Sequence, residues 1–309
     1  MNDPVPPFPL TGVALATGVE LDTVMLGDPA APPIILLHGF PESHRTWRHL
    51  LPDLARDHHV IAPDQRGYAG SSKPDGVEAY AADRIVADLL ALADALGIHR
   101  FTLVGHDWGG AVAWMAALRA PDRVERLVIL NAPHPYVFQR ALLDDPEQRA
   151  ASQYITRFRE TALDGGWTGN ALERFFATGL ARHAAAHLLG PEKAIYLEQW
   201  SRPGAMTAML NWYRASRFLV PAPGEDPPRP AWIDAPFPPI RQPTLVIWGM
   251  KDKALLPGQV DGLPEVVPDL TVVKLDAGHF VPWEAPDAVL NALRNWLPAP
   301  SFPQDTSEK

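Results

Sequence analysis

A chain of 309 residues, 47% of them hydrophobic, is long enough to bury one large core or a core carrying an insertion. Its formal charge of −9, with no Lys/Arg run to set against it, excludes a general electrostatic affinity for nucleic acid or anionic membrane. The absence of cysteine excludes disulfides, thiolate nucleophiles and cysteine-based zinc sites together.

Met1 to Leu10 is Pro-rich and has no basic segment followed by an apolar run, so it does not read as a signal peptide. No stretch approaches about eighteen consecutive apolar residues. A soluble cytoplasmic protein is the expectation. Val13 to Leu26 alternates apolar residues on either side of Thr17-Gly18 and reads as a hairpin. Pro33 to Leu37 is wholly apolar, as a strand covered on both faces should be. His59 to Ala62 is a second such run, ended by the turn-rich Pro63 to Gly67. Tyr80 to Leu96 carries apolar residues at helical spacing, with Gly97 as its stop. Phe101 to Val104 is the next strand, expected to break at Gly105, with a helix from Gly110 to Arg119 and a strand over Leu127 to Leu130.

From Pro133 to Val220 the β-rich runs disappear, and helical spacing recurs around Tyr154–Phe158, Leu172–Phe176 and Ala194–Leu197. Pro221 to Pro239 is Pro-dense and should be an irregular, stiff connection. Strands then return at Thr244 to Trp248 and Leu270 to Leu275, followed by a helix over Ala285 to Trp296. The tail after Pro300 is polar and expected to fray. There is no internal repeat. Strands alternating with helices predict an α/β fold, a mostly parallel central sheet flanked by helices. The expected units are a core over 1–133 and 240–299, a helical cap inserted over 134–220, a linker over 221–239 and a tail over 300–309.

Gly105-His106-Asp107-Trp108-Gly109 lies where a strand hands over to a helix. Flanking glycines permit the close strand–helix approach that a nucleophile elbow requires, with Asp107 in the place usually held by serine. A helix N-cap is the other reading of an aspartate there. The residue type alters the chemistry. A carboxylate attacking a carbonyl gives a high-energy anhydride, whereas attack on a saturated carbon gives an ordinary ester. Epoxide opening or halide expulsion is therefore favoured over acyl transfer. The carboxylate is ionised at neutral pH without help, given a reference pKa near 4. A base is needed only when water hydrolyses the ester.

His279, in Asp276-Ala277-Gly278-His279-Phe280, follows the last strand at the edge where sites of open α/β sheets gather. This singles it out among eleven histidines. Asp252, just past the preceding strand, is the candidate orienting acid, and the order nucleophile, acid, histidine is that of the α/β-hydrolase fold. Asp276 is a rival by proximity, and Asn131 occupies an alternative acid position without a charge to offer. His38-Gly39-Phe40-Pro41 ends the first apolar strand. Backbone N–H groups of Phe40 and Trp108 are placed to meet on an oxyanion, and both side chains to line the substrate. His38 and Phe40 also read simply as packing residues.

Together these segments resemble the epoxide hydrolases of the α/β-hydrolase fold, relatives of the haloalkane and fluoroacetate dehalogenases. The resemblance runs from about Val13 to Leu297. It is carried by His38 to Ser43, Ala62 to Tyr68 with Ser71 to Pro74, Gly105 to Gly109, Asn211-Trp212-Tyr213-Arg214, and Gly278-His279. It implies two cap tyrosines that hydrogen-bond the epoxide oxygen. Tyr213 matches one, and Tyr154, with Phe158 four residues on, matches the other. A phenol with pKa near 10 stays protonated at neutral pH and suits a leaving alkoxide. Packed core aromatics are the alternative for both, and the reading kept for Tyr68, Tyr80, Tyr136 and Tyr196.

The expected reaction joins a small neutral organic substrate to water, with no metal or organic cofactor implied. Haloalkane dehalogenation is the competing reaction, with Trp167, Trp200 or Trp212 as halide donors. Charged haloacids fit less well, because Trp108 and Ala111 stand where fluoroacetate dehalogenases carry arginines. A hydrolase-fold binding protein without turnover is a further alternative, set against a complete triad and both tyrosines. Oligomeric state has no sequence signal.

Overall fold

The computed structural model describes residues 5, 7–183, 190 and 192–298. The tail after Pro300 and the start of the Pro-rich N-terminus lie outside the described residues. Eight strands form one sheet: β1 (Thr11–Ala14), β2 (Glu20–Leu26), β3 (Pro33–Leu37), β4 (His59–Pro63), β5 (Phe101–His106), β6 (Val124–Leu130), β7 (Thr244–Gly249) and β8 (Leu270–Leu275). Their order is β1-β2-β4-β3-β5-β6-β7-β8. The first two are the expected hairpin, with Val13 opposite Leu21 and Gly18 at φ 83° in the turn. β2 is antiparallel to β4, and every later pairing is parallel.

The apolar run of β3 has the two covered faces that its sequence requires. Ile34 and Leu36 enter one core layer, Ile35 and Leu37 the other. Helix Ala82–Ala95 packs on the sheet through Ile85, Val86, Leu89, Leu92 and Ala93. It is shorter than the periodicity of Tyr80 to Leu96 implies, because Val77–Tyr80 forms a separate 3₁₀ turn and Ala81 is extended.

β5 departs more informatively from expectation. It does not break at Gly105, which stays in register with Leu37 on one side and Ile129 on the other. The helix starts at Trp108 rather than Gly110 and runs to Arg119. The glycines serve close packing instead. A Cβ on Gly105 would lie 2.4 Å from the Gly109 carbonyl oxygen, and one on Gly109 would lie 2.1 Å from that of Leu37. Both obstacles are backbone, so neither can step aside.

Between β6 and β7 the described residues form helices, among them Pro135–Asp144, Pro146–Ala151, Gln153–Phe158, Asn170–Phe175, Lys193–Ser201 and Ala205–Ala215. Asp145 starts the second of these by accepting from the Glu147 and Gln148 N–H groups, with Pro146 at the first helical position. The Pro-dense return is irregular apart from a short 3₁₀ turn at Ala231–Asp234. Two indoles tie this segment to the sheet: Trp200 donates to the Pro41 carbonyl at 2.8 Å and Trp212 to that of Arg66 at 3.0 Å. Among the described residues no helix is long and apolar enough to cross a membrane.

Arg66 is itself pinned beneath the turn it belongs to. Its guanidinium meets Asp88 in two bonds of 2.6 and 2.7 Å, and Thr17 donates to the same carboxylate at 2.6 Å. Arg66 and Asp88 are 5% and 3% exposed, so the pair is desolvated and removing one partner strands the other. Asp88→Ala is expected to cost about 3–5 kcal/mol. In urea denaturation this appears as a lower midpoint with an unchanged slope, whereas an unchanged midpoint would contradict it.

Candidate active site

Asp107 stands at the turn between β5 and the following helix with φ 49° and ψ −120°. A non-glycine residue rarely holds positive φ, and here the glycine contacts on either side impose it. Although it precedes the helix, its side chain makes no capping hydrogen bond. Its carboxylate turns outward instead. Oδ1 accepts from the Phe40 N–H at 2.7 Å, and Oδ2 lies 3.6 Å from His279 Nε2. Gly39 makes room for this, since a Cβ there would sit 2.4 Å from that of Asp107. Trp108 is the first helical residue, so its N–H has no carbonyl one turn back in the helix.

His279 Nδ1 bonds Asp252 Oδ2 at 2.7 Å. Asp252 is held by further donors: Ala254 N–H at 2.8 Å and Leu255 N–H at 2.9 Å on Oδ1, and Asn131 Nδ2 at 2.8 Å on Oδ2. Asn131 is therefore not a substitute acid but a donor to the acid, itself set at φ 39° after β6. Its Oδ1 also accepts from Gly249 N–H at 2.8 Å, fixing the amide's orientation. Asp276 is excluded as the orienting acid, because its side chain is 86% exposed and pairs with Lys251 at 2.7 Å.

The electrostatics follow from this chain of groups. Burial alone would lower the pKa of His279, but the Asp252 charge, the Asp107 carboxylate beside it and the bond to Asp252 outweigh it and hold the imidazole well above its usual value. Burial would raise both carboxylates, yet His279 draws each below the ordinary aspartate range. The carboxylate of Asp107 and the imidazole of His279 thus each favour the charged form of the other.

Two buried histidines and the partly buried Glu284, all outside the expected set, hold the loops. His38 Nε2 accepts from Gln65 N–H at 3.0 Å, which leaves Nδ1 to donate to the Gly39 carbonyl at 2.9 Å. Burial keeps this imidazole's pKa low, so His38 pins the Phe40 loop as a neutral ring. His106 Nε2 donates to the His279 carbonyl at 2.9 Å while Nδ1 faces Glu42 at 2.9 Å. Glu284 accepts from Gly278 N–H at 2.8 Å and Phe280 N–H at 3.2 Å, bracketing His279 on both sides. The acidic residue five positions after His279 is the only hint of this that the sequence carries.

Asp107, His279, Tyr154, Tyr213 and Phe40 line one cavity of about 560 Å³. Tyr213 packs edge-on against Trp108 and Phe40, with ring centroids 5.1 and 5.0 Å apart, and lies 6.0 Å from Tyr154. Burial, then the Asp107 charge, pushes both phenols above their usual pKa, so each keeps its proton. Tyr68, Tyr80, Tyr136 and Tyr196 are absent from its walls. A separate cavity of about 330 Å³ behind Trp108 and Trp212 contains neither Asp107 nor His279. Among the described residues no group of three or more His, Cys, Asp or Glu is arranged to hold a metal ion.

The sequence pattern of the alpha/beta hydrolase fold family matches residues 32–286. Epoxide hydrolase A of Mycobacterium tuberculosis is 35% identical, over 91% of this chain and 94% of its own. The AB hydrolase superfamily protein YfhM of Bacillus subtilis is 34% identical, over 89% and 93%. A solved structure described among novel epoxide hydrolases from metagenomes of hot environments superposes with a TM-score of 0.83 at 45% identity, covering 95% of this chain and 99% of that one. The chain belongs to the α/β-hydrolase fold family and groups there with epoxide hydrolases.

Proposed function

We propose that the chain hydrolyses epoxides to vicinal diols in two steps, with the helical segment between β6 and β7 serving as the cap of the site. The observation that carries this reading is a carboxylate at the elbow sharing one cavity with two protonated tyrosines. Oδ2 of Asp107 attacks an oxirane carbon, the C–O bond breaks, and the oxygen takes a proton from Tyr154 or Tyr213, whose phenolate is reprotonated from solvent. The product is an alkyl ester on Asp107, with Oδ1 still on the Phe40 N–H.

Esterification removes one of the two charges that raised the His279 pKa. The imidazole then releases its proton to solvent and becomes the neutral base, oriented by Asp252. Water gives a proton to Nε2 and attacks Cγ, and the electron pair moves onto Oδ1 between the N–H groups of Phe40 and Trp108. Collapse expels the diol oxygen, which takes the proton from His279. The regenerated carboxyl then passes its proton to His279, which restores the resting pair and balances the proton taken up by the tyrosine against the one His279 released.

The halide alternative keeps one donor of the three considered. Trp200 and Trp212 are committed to backbone carbonyls, whereas the Trp167 Nε1–H is buried without a partner among the described residues and its residue lines the Asp107 cavity. Incubation with styrene oxide and with a bromoalkane, measuring diol and bromide separately, decides between the reactions. Diol without bromide is expected, and bromide without diol would overturn the reading.

The base predicts its own pH dependence. His279 is protonated below its folded-state pKa, and only the neutral form activates water. As pH falls, ester hydrolysis slows while alkylation by the Asp107 anion continues, so the ester accumulates. Intact mass after quenching should show the adduct growing as pH is lowered, and His279→Gln should show it at neutral pH. Asp107→Ala should show none. An adduct on Asp107→Ala, or none on His279→Gln, contradicts the scheme.

A further inference from the structure

A buried charge cluster outside the cavity ties the inserted segment to both loops that the chemistry uses. Glu192, 1% exposed, directly precedes helix Lys193–Ser201. Its carboxylate accepts from Arg45 Nε at 2.9 Å and Nη2 at 2.5 Å, and Arg48 Nε lies 3.4 Å from its Oε1. The two arginines, 2% and 3% exposed, sit in and just after the 3₁₀ turn His44–Trp47, which continues the Phe40 loop. Near its far end the same helix is tied to that loop again, by the Trp200 bond to the Pro41 carbonyl. Arg48 also reaches the second loop, its guanidinium carbon lying 4.5 Å from the Trp283 ring centroid. Trp283 packs on Phe280 at 5.4 Å, and Phe280 packs edge-on to His279 at 4.9 Å. Tyr196, on the helix itself, stacks on Trp283 at 5.6 Å. Glu192, Arg45 and Arg48 line no part of the Asp107 cavity.

We propose that Glu192 is a positioning residue for ester hydrolysis, holding through Arg45 and Arg48 the loop that carries the Phe40 N–H and the loop that carries His279. The proposal rests on the two-step reading of the site. Two cations share one carboxylate in a region closed to water, so neutralising Glu192 strands both. Arg45 also donates to the Val5 carbonyl at 2.9 Å and Arg48 to the Arg45 carbonyl at 3.0 Å, but neutral acceptors do not offset two buried charges. The guanidiniums then turn toward solvent, and the 3₁₀ turn and the Trp283 contact move with them. Alkylation is less exposed to this movement. Asp107 is fixed by the sheet ladder at Gly105, and Tyr154 and Tyr213 stand on other helices, Gln153–Phe158 and Ala205–Ala215. Hydrolysis needs the Phe40 donor and the His279 base in register around one water, and a small misplacement of either is costly.

The test is rapid-quench intact mass with saturating styrene oxide, which gives first-order constants for formation and decay of the Asp107 ester. A loss of folded protein lowers the amplitudes but not these constants. In Glu192→Gln the decay constant is expected to fall relative to formation by roughly two- to thirtyfold, the range in which side chains away from a ligand alter a site. Glu192→Asp, which keeps the charge, should restore part of it. Arg48→Gln leaves the Arg45–Glu192 pair in place and so carries the test if Glu192→Gln does not fold. It too should slow decay more than formation. An unchanged ratio of the two constants overturns the proposal. Hydrogen exchange of the resting protein reads the same coupling without the chemistry. Exchange in Glu192→Gln should quicken in peptides spanning 39–48 and 278–284 and not in helix Ala82–Ala95. No change in the first two, or an equal rise in all three, overturns the proposal. If no protein forms the ester, His279→Gln included, the two-step reading falls instead and the exchange result alone decides the positioning.

Discussion

The site depends on one strained residue. Asp107 sits at positive φ because the helix that follows it crosses β3 too closely for any side chain at Gly109, and β5 meets that helix too closely for any at Gly105. Strain of this kind costs about 1–3 kcal/mol and persists only where the surroundings over-determine it. Here the sheet ladder on both sides of Gly105 does so. The consequence is directional. A relaxed aspartate before a helix would turn its carboxylate onto the first-turn N–H groups, whereas this one presents Oδ1 to the Phe40 N–H and Oδ2 to His279. One backbone conformation thus brings the Asp107 carboxylate to the Phe40 N–H and to the His279 imidazole.

That placement also sets the charges. A single imidazole lies between the buried Asp252 and the partly buried Asp107 carboxylates, which explains why its pKa is raised while theirs are lowered. Asp252 keeps its charge through the proposed reaction because backbone N–H groups and Asn131 hold it away from the substrate. Asp107 loses its charge on esterification. The same event that needs a base next therefore supplies one, by withdrawing the anion that kept His279 protonated. The tyrosines respond in the opposite sense. Burial beside an anion keeps their protons on, which is the state an opening epoxide requires of them.

Features of the fold that depend on local pattern were legible in the sequence. The wholly apolar β3, the hairpin about Gly18 and the strand–Gly-x-Asp-x-Gly–helix passage are set by covered faces and turn geometry. Sequence reasoning misjudged the end of β5, because a glycine needed for close packing has the same appearance as one that breaks a strand. Asn131 illustrates a second limit. Its role comes from a contact with Asp252 across 121 positions, and nothing local to either residue records it. Glu42, which braces His106 across 64 positions, is hidden for the same reason, whereas Glu284 bonds only four and six positions away. The tyrosines were legible only through family resemblance, since a buried phenol has no signature of its own.

The account stands most directly on the fate of one oxygen atom. In the two-step scheme water attacks Cγ of Asp107, so the diol oxygen formed in the first turnover comes from the carboxylate and the oxygen of water enters Asp107. A single turnover with enzyme in excess, run in ¹⁸O-water and followed by peptide mass analysis, reads this outcome. Label in the peptide containing Asp107 and none in the first-turnover diol is the predicted result. Label in the diol with Asp107 unlabelled would mean direct attack of water on the epoxide and would contradict the nucleophilic role of Asp107.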